Sequence, residues 1–178
     1  MAFAMGRGGA RGRSIGAVEL ALVFALVGSL LATTVPTFVR NVHASHFVEP
    51  VAGLQRLGEH ALSYARGRPV GQAFPPSVAL TPSAPPRGHC AADPPDIWEH
   101  PTWRALEFVP APLGQPHCYS FGFDSTLSPT KSTFRAHAHG DLDGDGITST
   151  FEVTGEDIDG DPRGPVLDPG MFVQDETE

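Results

Sequence analysis

Residues 15–39 read Ile15-Gly-Ala-Val-Glu19-Leu-Ala-Leu-Val-Phe-Ala-Leu-Val-Gly28-Ser-Leu-Leu-Ala-Thr-Thr-Val-Pro36-Thr-Phe-Val39, and from Leu20 to Val39 no residue is charged. As a helix this run rises about 30 Å, the thickness of a bilayer's hydrocarbon core. Arg7, Arg11 and Arg13 precede it, Arg40 closes it, and Glu19 stands at its head. The basic flank predicts a cytoplasmic N-terminus. A cleaved secretory signal would have a shorter apolar region followed by small residues, whereas Val39-Arg40-Asn41 is bulky and charged. A plain uncleaved anchor explains the length and the flank. It gives no task to Glu19, and an ionisable group at the edge of a span is costly enough to need a partner.

The spacing of Glu19, Gly28 and Pro36 resembles the N-terminus of type IV pilins and the related pseudopilins. In that family a short basic leader is removed in the cytoplasm, the new N-terminal amine is methylated, and a glutamate occupies the fifth mature position. With Glu19 in that place, Ile15 is the first mature residue, and Gly28 and Pro36 fall on the family's usual glycine and proline. Ser14 stands where the family has glycine before the cut, and Ile15 where it has phenylalanine. The resemblance implies that Ser14 and Ile15 are the processing residues. It implies that Glu19 pairs with the first amine of a neighbouring copy, with Gly28 and Pro36 shaping the assembling helix. Partners would be identical or homologous subunits, a prepilin peptidase and inner-membrane assembly machinery. The head would lie in the periplasm before assembly and on a filament afterwards.

Past Arg40 the pattern becomes amphipathic. Phe47, Val51, Leu54, Leu57, Ala61 and Ala65 recur at three- and four-residue steps, and Gly67 and Pro69 supply a stop. The expected organisation is therefore a leader at 1–14, a membrane-spanning helical half at 15–40, an amphipathic half at 41–66 and a globular head at 67–178. Pro36 and Pro50 are expected to bend or break the helix.

Residues 67–117 are rich in proline and read as a long loop wrapping the helix, with a helical turn near 96–106 and with Trp98 and Trp103 as apolar anchors. Alternation then marks three strands, around Tyr119–Phe123, Thr133–His139 and Ile147–Val153. The tail after Thr154 reads as irregular. The fold class is α+β: one long helix packed on a small antiparallel sheet with long Pro/Gly-rich loops.

Net charge is −8, and removing the three leader arginines leaves about −11. Residues 141–178 hold twelve Asp or Glu against one Arg. A nucleic-acid binder needs a basic face, and this chain has none to offer. The two cysteines, Cys90 and Cys118, lie on the far side of the span, where a disulfide is the default.

The sharpest local motif is Asp141-Leu-Asp143-Gly-Asp145-Gly146-Ile147-Thr-Ser149-Thr-Phe-Glu152. It fits the twelve-residue calcium-loop pattern at every fixed position. Asp141, Asp143 and Asp145 would supply carboxylates, Ile147 its carbonyl, Ser149 a hydroxyl or its water, and Glu152 a bidentate carboxylate. The ion-free alternative is a turn rich in Asp and Gly. Strand-like flanks make it an EF-hand-like loop and not an EF-hand pair. A second run, Asp157-Ile-Asp159-Gly-Asp161, has Pro162 in place of the glycine. His137 and His139 share one side of a strand and read as surface histidines, for want of a third metal ligand at suitable spacing. No nucleophile elbow or phosphate loop occurs, so no enzyme is expected. Three functions compete: a pilus subunit, a pseudopilin of a type II secretion system, and a tethered calcium-binding or adhesion module that never polymerises.

Overall fold

The computed structural model describes residues 16–112 and 114–176, with the side chains of residues 36–46 and 95 not described. The processing residues Ser14 and Ile15 lie outside the described residues. Two compact units divide near Val42.

In the first unit, helix α1 (Ala17–Ala65) begins, and its apolar part Ala17–Val35 has a mean hydropathy of 2.1 with none of it buried. It is the one described helix long and apolar enough to cross a membrane. Its hydroxyls are satisfied within the helix: Ser29 Oγ donates to the Ala25 carbonyl at 2.8 Å and Thr34 Oγ1 to the Leu30 carbonyl at 2.8 Å. Such internal pairing suits a surrounding that offers no water. The helix runs unbroken through Pro36 and Pro50, so of the expected bend or break at Pro50 the break does not occur.

The second unit is α+β. Its sheet is antiparallel throughout, in the order β1 (Val78–Thr81), β2 (Tyr119–Thr126), β3 (Lys131–Gly140), β4 (Ser149–Ile158). The far side of β4 pairs with β5 (Val166–Leu167) along one half and with β6 (Phe172–Gln174) along the other. The tail expected to be irregular thus closes the sheet. One short strand, β1, also emerges from the proline-rich segment, at the sheet's edge, where prolines are tolerated.

Alternation decides which face is buried. Tyr119, Phe121 and Phe123 of β2, Phe134, Ala136 and Ala138 of β3, and Phe151 of β4 point inward, all 2 % exposed or less. They cover the α1 stripe of Leu54, Leu57, Ala61 and Ala65. Val51, expected on that stripe, is 40 % exposed; the bare backbones of Gly53 and Gly58 face the sheet instead. Gly67 (φ +76°) ends the helix in the left-handed region, as glycine permits.

The short helix α2 (Pro101–Ala105) and its preceding turn carry both tryptophans into this core. Their rings lie 5.5 Å apart, and each indole N–H has an acceptor: Trp103 donates to Thr81 Oγ1 and Trp98 to Asp93 Oδ2, both at 3.0 Å. They are anchors of the proline-rich segment. Cys90 and Cys118 are disulfide-bonded, with Cα atoms 4.2 Å apart.

Candidate functional site

Strand β3 ends at Gly140 and β4 begins at Ser149, so the acidic motif forms the connecting loop. Gly144 (φ +83°) and Gly146 (φ +95°) make its sharp turns. Each aspartate side chain folds over the residues that follow it. Asp141 Oδ1 accepts from the Gly144 amide (2.9 Å), Asp143 Oδ1 from the Asp145 amide (3.1 Å), and Asp145 Oδ1 from the Ile147 amide (2.7 Å). The result is that one oxygen from each of the three carboxylates lies within 4.8 Å of the others. Asp141 is buried, Asp143 and Asp145 exposed. Like charges at that separation repel by about 1 kcal/mol per pair at solvent dielectric. A basic neighbour, Arg87, has its Nε 3.8 Å from Asp141 Oδ2.

A second segment braces this loop. The Gly88 amide donates to the Asp141 carbonyl at 2.8 Å, and Arg87 bridges Asp141 in parallel. A Cβ on Gly88 would lie 3.5 Å from the Asp143 carbonyl, so the two backbones are packed together. Two residues on, Cys90 is bonded to Cys118, and Ala91 exchanges both backbone hydrogen bonds with His117.

The motif's last two positions go elsewhere. Ser149 Oγ donates to the Gly140 carbonyl (3.3 Å) at the base of the loop. Glu152 sits opposite His137 on the sheet's outer face, with Oε1 3.4 Å from Arg135 Nη1. Strand alternation is the cause: once β4 starts at Ser149, Phe151 must face the core and Glu152 away from it. The structure therefore brings together Asp141, Asp143 and Asp145, with the Ile147 backbone next to them. It does not add the Glu152 carboxylate. In the second acidic run, Asp157 is buried in β4, which together with Asp159 and Asp161 pushes its carboxyl up, while Arg163 clasps Asp161 at 2.6 Å and holds it down. These three do not converge among the described residues.

In α1, Glu19 Oε2 accepts from the Gly16 amide at 3.0 Å, in the first turn. A Cβ on Gly28 would meet nothing within 4 Å, so this chain's own packing gives no reason for glycine there.

Sequence reasoning missed Glu49. Its carboxylate accepts from the Cys118 amide (3.0 and 3.1 Å) and the Tyr119 amide (3.1 Å), fastening α1 to the start of β2. It also missed His117, which is 3 % exposed between Asp93 Oδ2 on Nε2 and the Tyr119 carbonyl on Nδ1 (2.9 Å). Nothing in either residue's local pattern marks it, because the amides that Glu49 binds and the Asp93 carboxylate that His117 meets come from distant segments. On the outer face, burial pushes His137 and His139 below the ordinary imidazole range.

No protein-family model, curated protein or solved structure matches this chain.

Proposed function

We propose that this chain is a membrane-anchored, pilin-like structural subunit whose apolar helix packs with copies of itself into a filament. The observation that supports this is α1 itself. Its apolar part is wholly exposed, carries a carboxylate in its first turn, and continues as the helix whose later stripe seats the sheet. A helix with so apolar and so bare a surface requires lipid or other helices around it. Small residues at Gly28, Ser29 and Ala32 would let neighbouring helices approach closely. In that setting a carboxylate without a cation is expensive, so pairing of Glu19 with a neighbour's N-terminal amine would favour docking and fix axial register. Repetition of such a head-to-tail contact builds an open helical polymer.

The head, on this reading, is stabilised by one calcium ion at the acidic loop. Asp141, Asp143 and Asp145 and the Ile147 carbonyl would hold it, and water would fill the remaining positions, since calcium takes six to eight oxygens. The position of this loop late in the chain favours a second reading within the same class, a pseudopilin of a type II secretion system. The non-polymerising tethered module is the competitor from a different class.

Intact-mass analysis of chain purified from native envelopes tests the proposal. A mature N-terminus at Ile15 with a methylated amine supports it; retention of Met1 together with purely monomeric sedimentation overturns it. Loss of assembly in a Glu19→Ala variant supports the pairing, and unimpaired assembly refutes it. For calcium, excess chelator should lower the head's Tm, and Asp143→Asn with Asp145→Asn should remove that response. A Tm indifferent to chelator ends the calcium reading.

A further inference from the structure

A strap, residues 87–91, holds the acidic loop from outside. Its point of attachment is Asp141, the buried member of the triad at 1 % exposed. The Asp141 carbonyl accepts from the Gly88 amide at 2.8 Å, and Arg87 runs beside Asp141 in a parallel bridge. The approach is backbone to backbone: a Cβ on Gly144, inside the loop, would lie 3.3 Å from the Gly88 nitrogen. Asp143 and Asp145 are exposed and are oriented by bonds within the loop.

The other end of the strap is fixed covalently. Cys90 is bonded to Cys118, and Ala91 exchanges backbone hydrogen bonds with His117 at 2.9 and 3.0 Å. Cys118 immediately precedes Tyr119, which pairs with Gly140, the residue before Asp141. The crosslink and the first carboxylate of the loop therefore share one end of the β2–β3 ladder. They belong to a short closed circuit that runs from Asp141 to Gly88, along the strap to Cys90, across to Cys118, and through Tyr119 and Gly140 back to Asp141. The disulfide is the link in that circuit that redox chemistry can open.

We propose that the Cys90–Cys118 crosslink governs the affinity of the acidic loop for calcium, an inference that rests on the calcium reading above. In the oxidised chain Asp141 and the turn behind it are already ordered when the ion arrives. In the reduced chain hydrogen bonds alone hold the strap, so the ion must order loop and strap together, and it binds more weakly. The coupling is reciprocal: bound calcium makes the disulfide harder to reduce by the same factor. The crosslink forms by thiol–disulfide exchange, in which the two thiols pass two electrons and two protons to an external disulfide and reduce it to two thiols. Maturation of the head is thus ordered, oxidation first and calcium second.

The test is isothermal titration of calcium into the full chain in detergent micelles, comparing the wild type with the Cys90→Ser, Cys118→Ser double variant. The double variant should bind calcium about fivefold or more weakly. Gly53→Ala, whose disturbance is at Phe121, controls for lost stability and should leave calcium affinity unchanged. The reciprocal arm needs no cysteine substitution. Calcium should raise the dithiothreitol concentration that reduces half of the wild-type disulfide, and Asp143→Asn with Asp145→Asn should abolish that shift. Equal calcium affinity in the wild type and the serine variant, a matching loss in Gly53→Ala, or a reduction midpoint indifferent to calcium in a chain that binds it overturns the coupling alone. A cross-linked chain that takes up no calcium ends the calcium reading itself, and this proposal with it.

Discussion

Gly53 of α1 presses its bare backbone onto the ring of Phe121 in β2; a Cβ there would come 2.7 Å from Phe121 Cε1. Both partners are at the centre of the core, and Phe121 is fully buried. Glycine in a helix interior normally costs up to about 1 kcal/mol relative to alanine. Here it is what lets the helix approach the sheet. Gly53→Ala should therefore destabilise the head by about 1–3 kcal/mol despite its better helix propensity, because overpacking outweighs that gain. Urea unfolding followed by near-ultraviolet circular dichroism measures it. A more stable variant would show that the close approach is dispensable.

Glu49 closes the end of the same contact. Replacing it by alanine strands the Cys118 and Tyr119 amides, which are inside the fold. The expected loss is about 2–4 kcal/mol, since an unpaired buried donor costs about 1–3 kcal/mol. Glu49→Gln, which keeps one acceptor oxygen, should lose less. Equal losses from both variants would count against the hydrogen-bond account.

Reducing the Cys90–Cys118 disulfide removes a crosslink spanning 28 residues of sequence. The chain-entropy model gives about 3–4 kcal/mol for a loop of this size. The loss should be visible as a lower urea midpoint for the Cys90→Ser, Cys118→Ser double variant. Hydrogen exchange should also quicken at Gly88, whose amide is donated to Asp141. Protection at Gly88 unchanged by the double substitution would show that the acidic loop is braced without the crosslink.

Acid should weaken the head in a defined window. Burial is the leading reason that His137 and His139 are pushed below the ordinary imidazole value. Both therefore bind a proton less readily in the folded chain than in the unfolded one, which takes up protons near pH 6.5. Protons then bind the unfolded state preferentially, so stability is full above about pH 6.5 and falls as pH drops toward the folded values. Unfolding free energy measured from pH 7.5 to 5.5 should slope upward with pH, and His137→Gln should flatten that slope. A slope untouched by the substitution would assign it to other groups.

Much of this architecture is legible from residue order. The stripe Leu54, Leu57, Ala61, Ala65 and the alternation from Tyr119 to Phe123 are periodic, so they announce a helix face and a sheet face. Gly67 stops α1 where a left-handed residue is needed. The two cysteines had one partner each. What was hidden is non-local. Val51 fits the helical spacing, yet the sheet is reached through Gly53 and Gly58, whose lack of a side chain leaves no periodic mark. The strands β5 and β6 are two and three residues long and borrow their regularity from β4. In the acidic loop, the carboxylates at Asp141, Asp143 and Asp145 converge because their own backbone turns them inward. Glu152 follows the parity of a strand, which the twelve-residue pattern cannot anticipate.

The order in which the core is assembled follows from the placement of α1 ahead of its sheet. On the ribosome, Leu54 and Leu57 emerge well before Phe121, Phe134 and Phe151, the residues that will shelter them. The nascent polypeptide therefore exposes a sticky seam until β4 has been translated, and transiently bared apolar surface of that kind is prone to aggregate.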